Sequence, residues 1–113
     1  MSEPHTALLL VSMTEAADRV ATYIRSGGQA DFLEQGVTYD AVCMNLLGFG
    51  ECTRLLPEEL KARLPMTPWP DIINLRHRIA HGCDTLKPEL LWQVAARDMR
   101  MLAGQLAEIR RRA

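Results

Sequence analysis

Arginines and histidines cluster in Arg76-His77-Arg78-Ile79-Ala80-His81, between apolar neighbours, and these are residue types that metal-free phosphoryl chemistry uses. An imidazole titrates near neutrality, so His81 can take a proton from a ribose 2′-hydroxyl or return one to a leaving oxygen. A guanidinium stays charged and its planar fork matches phosphate, so Arg76 can hold a crowded anionic phosphorus centre. On a helix of about 3.6 residues per turn, Ile72, Leu75, Arg76 and Ile79 share one face, which puts Arg76 inside an apolar stripe. A cation there requires an anion. Spacing alone leaves two readings open: Arg76 faces a phosphate, or it makes an internal ion pair while His81 is only a favourable cation at a helix C-terminus.

His77 and His81, four apart on one helix face, with Cys83 as a third ligand, would be the start of a metal site. No fourth ligand cluster stands out, and no Glu follows the first His as in a zinc-protease helix, so the expectation is no metal and no cofactor. A Gly-rich phosphate loop, a dinucleotide fingerprint and a Ser nucleophile elbow are all missing from the sequence. Positions five apart differ by about 140° around a helix, so Arg76 and His81 of one chain do not converge easily. A two-fold partner packing the same helix against its copy would bring two Arg and two His into one cleft.

Apolar spacings of three and four place the elements that carry this motif. Over residues 6–26, Leu9, Met13, Ala16, Val20 and Ile24 mark an amphipathic helix that Gly27 and Gly28 end. A shorter piece spans 30–34. After Gly36, Thr38 is expected to cap a second long helix bearing Val42, Leu46, Phe49 and Leu56. Gly48 and Gly50 inside it each cost about 1 kcal/mol relative to Ala, which suggests close approach by another helix, of this chain or of a second subunit. Pro57 opens a short helix to about Leu64; Pro65, Pro68 and Pro70 mark a turn with Trp69 as its anchor. The motif helix covers 70–81, with Gly82 as its stop. From Pro88, the positions Leu91, Ala95, Met99, Leu102, Leu106 and Ile109 define a last helix of about 25 residues. No stretch alternates with period two. The expected fold is all-α: an up-and-down antiparallel bundle of four main helices plus a short fifth, in one domain over 1–113.

The 113 residues carry 13 basic and 14 acidic side chains, a formal charge of −1, which argues against coating nucleic acid by bulk charge but not against a local cationic site. The terminal run Arg110, Arg111 and Arg112 is read as cations at a helix C-terminus rather than an RNA tether. The odd count of 3 cysteines, Cys43, Cys52 and Cys83, gives no disulfide framework, and no signal or membrane span is apparent, so a reduced, cytoplasmic chain is expected.

With these landmarks in order, the sequence resembles the HEPN superfamily, specifically the HepT-like toxins paired with minimal nucleotidyltransferase antitoxins. That family's hallmark is Arg, a polar residue, three more residues, then His, with Tyr two positions on; residues 76–81 fit its first part. The likeness extends to Leu8-Leu9-Leu10 with Thr14-Glu15-Ala16-Ala17, to Asp40-Ala41-Val42 with Asn45-Leu46 and Gly50-Glu51, and to Pro68-Trp69. The resemblance implies a helical bundle, a homodimer with motif helices at its interface, and metal-independent cleavage of RNA. It makes Arg76 and His81 catalytic and His77 a supporting residue, and leaves Asn45 and Glu51 structural. Cys83 replaces the family Tyr, which resembles an acceptor for AMP added by the partner nucleotidyltransferase. A thiol is no substitute acceptor, so no modification site is assigned, and control would act elsewhere or by burying the cleft, or toxicity has been lost. Two functions therefore compete: a toxin-like endoribonuclease, and a non-catalytic module that binds nucleotide or RNA or docks a nucleotidyltransferase. A purely structural bundle would leave Arg76 unexplained.

Overall fold

The structure, a computed structural model, describes residues 3–81 and 86–112. Its helices are α1 (Glu3–Leu33), α2 (Val37–Leu55), α3 (Glu58–Ala62), α4 (Trp69–His81), α5 (Pro88–Gln93) and α6 (Met99–Arg112), the last two joined by a π-helical turn, Val94–Asp98. The expected spacings hold: Leu9, Met13, Ala16 and Val20 of α1 meet Val42, Leu46 and Phe49 of α2 and Leu91, Ala95, Met99, Leu102 and Leu106 in a single buried cluster. The connections fix direction. Phe32 at the end of α1 touches Tyr39 and Trp92 edge-on, with ring centroids 5.2 and 5.3 Å away, while Arg110 lies 3.5 Å from Thr14 Oγ1. The last helix therefore runs antiparallel to α1. The Trp69 indole N–H donates to the carbonyls of Lys61 (3.0 Å) and Leu64 (3.1 Å), and the Lys61 ammonium to that of Thr53 (3.4 Å), so α4 starts where α2 ends. The Thr67 hydroxyl donates to Gln105 Oε1 at 2.7 Å, tying the entry of α4 to the far half of α6. The result is an up-and-down bundle measuring 41 × 26 × 22 Å. No helix among the described residues is long and apolar enough to cross a membrane.

The helix ends depart from the sequence reading in instructive ways. At Gly28 (φ 83°, ψ 168°) α1 is broken, a left-handed conformation that suits glycine, and helix resumes to Leu33 as the separate 30–34 piece implied. The amide of Gly36 then bonds Asp31 O and that of Gln35 bonds Phe32 O, both at 3.0 Å, with Gln35 at φ 60°: a Schellman ending that uses Gln where Gly is usual. Thr38 does not cap α2. Gly36 occupies the N-cap position without a side-chain bond, and Asp31 Oδ2 accepts the Thr38 N–H at 2.9 Å instead. A carboxylate from the preceding helix thus does the capping, and Thr38 packs against Gly27, where an added Cβ would lie 1.7 Å from the hydroxyl. Pro57 likewise precedes α3 rather than opening it.

The Thr38 hydroxyl and amide hold the Asp31 carboxyl below its ordinary 3.8, with burial opposing. A depressed carboxylate contributes stability that is present above the unfolded value and lost as pH falls through the folded one. Wild type should therefore melt above Asp31→Asn at pH 7, and the gap should narrow as pH is lowered below 3.8. Equal melting temperatures at pH 7 would remove this cap from the account.

In the last helix, Leu91, Ala95 and Met99 are spaced by four twice, and each step overshoots a full α-turn by about 40°. The π turn absorbs that excess: the Met99 amide reaches back to Val94 O, five residues away, and all three side chains stay buried.

Candidate active site on α4

The buried side of α4 is Ile79, 8% exposed, with Ile72 and Leu75 packed on the core. Arg76 lies beside this stripe where α4 comes closest to α2. A Cβ on Gly50 would stand 2.3 Å from Arg76 Cβ and 3.5 Å from its Cα, so the close approach expected of a helical glycine is real and comes from the same chain. Gly48, in contrast, has open space around it.

That contact sends the Arg76 side chain along α2 to Glu51, the next residue after Gly50. Arg76 Nη2 lies 3.0 Å from Glu51 Oε2, and Glu51 Oε1 accepts from Arg54 Nε at 3.1 Å and from its Nη2. Oε2 is shielded from solvent yet has no aligned hydrogen bond, so its partnership with Arg76 is one of charge and proximity. Chiefly the Arg54 hydrogen bond, then, against burial, the charges of Arg54 and Arg76 hold the Glu51 carboxyl below the usual carboxylate range. The structure therefore contains the internal ion pair. The Arg76 side chain nevertheless keeps 31% of its surface exposed, and a guanidinium has five donors, so pairing with Glu51 leaves it able to meet a second anion.

Arg76 and His77 line an open groove of about 810 Å³ between α3 and α4, together with Arg54, Lys61, Trp69 and Asn74. His81 is not part of its wall. It stands one turn beyond His77, both rings are exposed, and their centroids are 4.8 Å apart at a tilt of 54°. Sequence reasoning missed Glu51 as the anion beside Arg76, and Lys61 and Arg54 as groove residues. The available signal was Gly50-Glu51, a glycine inside a helix followed directly by a carboxylate. Asn45 donates to Ala41 O at 2.9 Å and accepts from Arg19 at 3.5 Å. Among the described residues no three His, Cys, Asp or Glu side chains gather in a metal-binding arrangement. Cys83, the third ligand of the metal alternative and the residue in the family Tyr position, lies outside the described residues.

The helical bundle and the α4 motif agree with the resemblance to the HEPN superfamily read from the sequence, and the family comparison bears that class out. Within it, this chain belongs to the ribonuclease HepT-like family, whose model matches residues 13–109. It is similar to a probable ribonuclease HepT of Thermococcus cleftensis, 26% identical over 102 residues that cover 90% of this chain and 93% of the relative. It is also similar to a putative RNase of Methanocaldococcus jannaschii, 23% identical over 99 residues covering 88% and 91%. No solved structure matches the chain significantly.

Proposed function

We propose that this chain is a toxin-like, metal-independent endoribonuclease of a toxin–antitoxin module, working in the cytoplasm as a homodimer whose α4 helices form one composite cleft. The observation that carries this is the arrangement on α4: Arg76 and His77 face the groove, while His81 is exposed one turn on and outside it. Arg76 and His81 of one chain therefore do not share the groove wall, and a second copy would supply the complement. In the reaction, one His81 imidazole takes the proton of a ribose 2′-hydroxyl as that oxygen bonds to phosphorus. The His81 of the second copy protonates the departing 5′-oxygen, and Arg76 stabilises the charge that builds on the phosphoryl oxygens. The products are a 2′,3′-cyclic phosphate and a 5′-hydroxyl. His77, ring against ring with His81, orients that imidazole.

A minimal nucleotidyltransferase is the expected antitoxin. With Cys83 in place of the family tyrosine, control by burying the cleft fits better than nucleotide transfer to this motif.

The test is cleavage of total cellular RNA by purified chain in excess chelator, with end-group analysis, wild type beside Arg76→Ala. Cleavage that persists under chelation, leaves cyclic phosphate ends and falls by about 100-fold or more in the variant is the expected outcome. No cleavage by a folded wild type would shift the reading to a non-catalytic module that binds RNA or docks a nucleotidyltransferase.

A further inference from the structure

We propose that the groove between α3 and α4 seats one nucleotide of single-stranded RNA next to the scissile phosphate, with its base against Trp69 and its phosphate at Lys61. The inference rests on the ribonuclease reading and adds to it a substrate-positioning site.

Size and lining both point to a nucleotide. About 810 Å³ is within the range of small-ligand sites, and the groove combines apolar surface from Pro65, Trp69 and Ile73 with charged groups: Lys61, Arg54 already paired with Glu51, and the exposed Glu58 carboxylate that pairs with Lys61. That combination of a stacking platform and a charged edge is how single strands are held without sequence-specific pairing. Trp69 is fixed for the purpose. Its N–H is committed to the carbonyls of Lys61 and Leu64, so the ring has no donor left to offer and its face is what the groove can use. Lys61 is only 6% exposed, an unusual place for lysine. The Thr53 carbonyl at 3.4 Å and Glu58 Oε1 at 3.1 Å account for two of its three N–H donors, and the third can meet a phosphate oxygen. The groove also shares Arg76 and His77 with the proposed catalytic cleft, so a strand held at Arg76 has its neighbouring nucleotide within the same walls.

Ala62 lines the groove from α3 and is exposed, so a charge there alters the groove without disturbing the core or the Glu51 pair. The probe is a fluorescein-labelled 2′-O-methyl oligouridylate, which lacks the nucleophilic hydroxyl, followed by anisotropy. Ala62→Glu is expected to weaken binding about 10-fold or more, Ala62→Lys to preserve or tighten it, and Val37→Glu, at an exposed site at the start of α2, to leave it unchanged. In a Trp92→Phe background the remaining Trp69 emission should be quenched as the oligonucleotide binds. Wild-type binding that is unmoved by Ala62→Glu, with no quenching, overturns the groove assignment while the catalytic reading stands if RNA is still cut. A folded wild type that neither binds the probe nor cleaves RNA overturns both.

Discussion

Gly50→Ala is expected to destabilise the protein by about 1–3 kcal/mol, although alanine is by itself the better helix former by about 1 kcal/mol. The reason is the 2.3 Å separation between the added methyl and Arg76 Cβ, with Arg76 Cα only 3.5 Å away. The neighbour is the root of a side chain fixed to its helix, so relief requires α4 to move off α2. Movement there draws the guanidinium away from Glu51, and RNA cleavage should fall along with the melting temperature. Gly48→Ala is the internal comparison. Nothing stands within 4 Å of that position, so helix propensity should prevail and raise stability by about 0.5–1 kcal/mol. Thermal melts of the two variants in parallel decide the matter; a rise in both would mean that α2 and α4 are not in the contact described.

His81→Ala should reduce cleavage about 1,000-fold or more while leaving the fold and any dimer intact, since the side chain is exposed and touches only His77 among the described aromatic neighbours. A stronger form of the test mixes wild type with an excess of His81→Ala. If the cleft is composite and uses one His81 as base and the other as acid, a mixed dimer holds a single His81, so subunit exchange should depress activity well below what the wild-type chains give alone. Sedimentation of each protein shows whether the dimer is there to be mixed. Activity that stays proportional to the wild-type chains, with exchange demonstrated, would place the complete reaction within one chain.

The helices were legible because their signal is local. Leu9, Met13, Ala16 and Val20 announce α1 by spacing alone, and the stripe from Leu91 to Ile109 announces the last helix, since a buried helical face repeats along the chain whatever it packs against. The motif and the family landmarks around it also pointed to the ribonuclease HepT-like family to which the chain belongs. What escaped depended on groups distant in sequence or on backbone detail. Asp31 caps Thr38 across the Schellman turn, and that bond exists only because Gln35 takes a left-handed conformation that its residue type does not advertise. Glu51 is the counter-charge for Arg76, yet 25 positions separate them in the sequence, and only the packing of α4 onto Gly50 brings them together. The sequence reading recognised that an arginine in an apolar stripe needs an anion; it had no means of selecting which.

The π turn has a consequence for how the chain tolerates changes of length. Deleting a residue from a regular α-helix rotates everything beyond the cut by about 100° and would turn a buried stripe toward solvent. Between Val94 and Asp98 the last helix carries a residue in excess of the α-helical repeat, as the five-residue reach from Met99 to Val94 shows. Loss of Ala96 could be absorbed by tightening the π turn into an α-turn, leaving Leu102, Leu106 and Ile109 in register with α1. Val94 and Asp98, which flank α4 across a neighbouring groove, would shift instead. A one-residue deletion at this point would thus remodel the surface beside the motif helix while sparing the core.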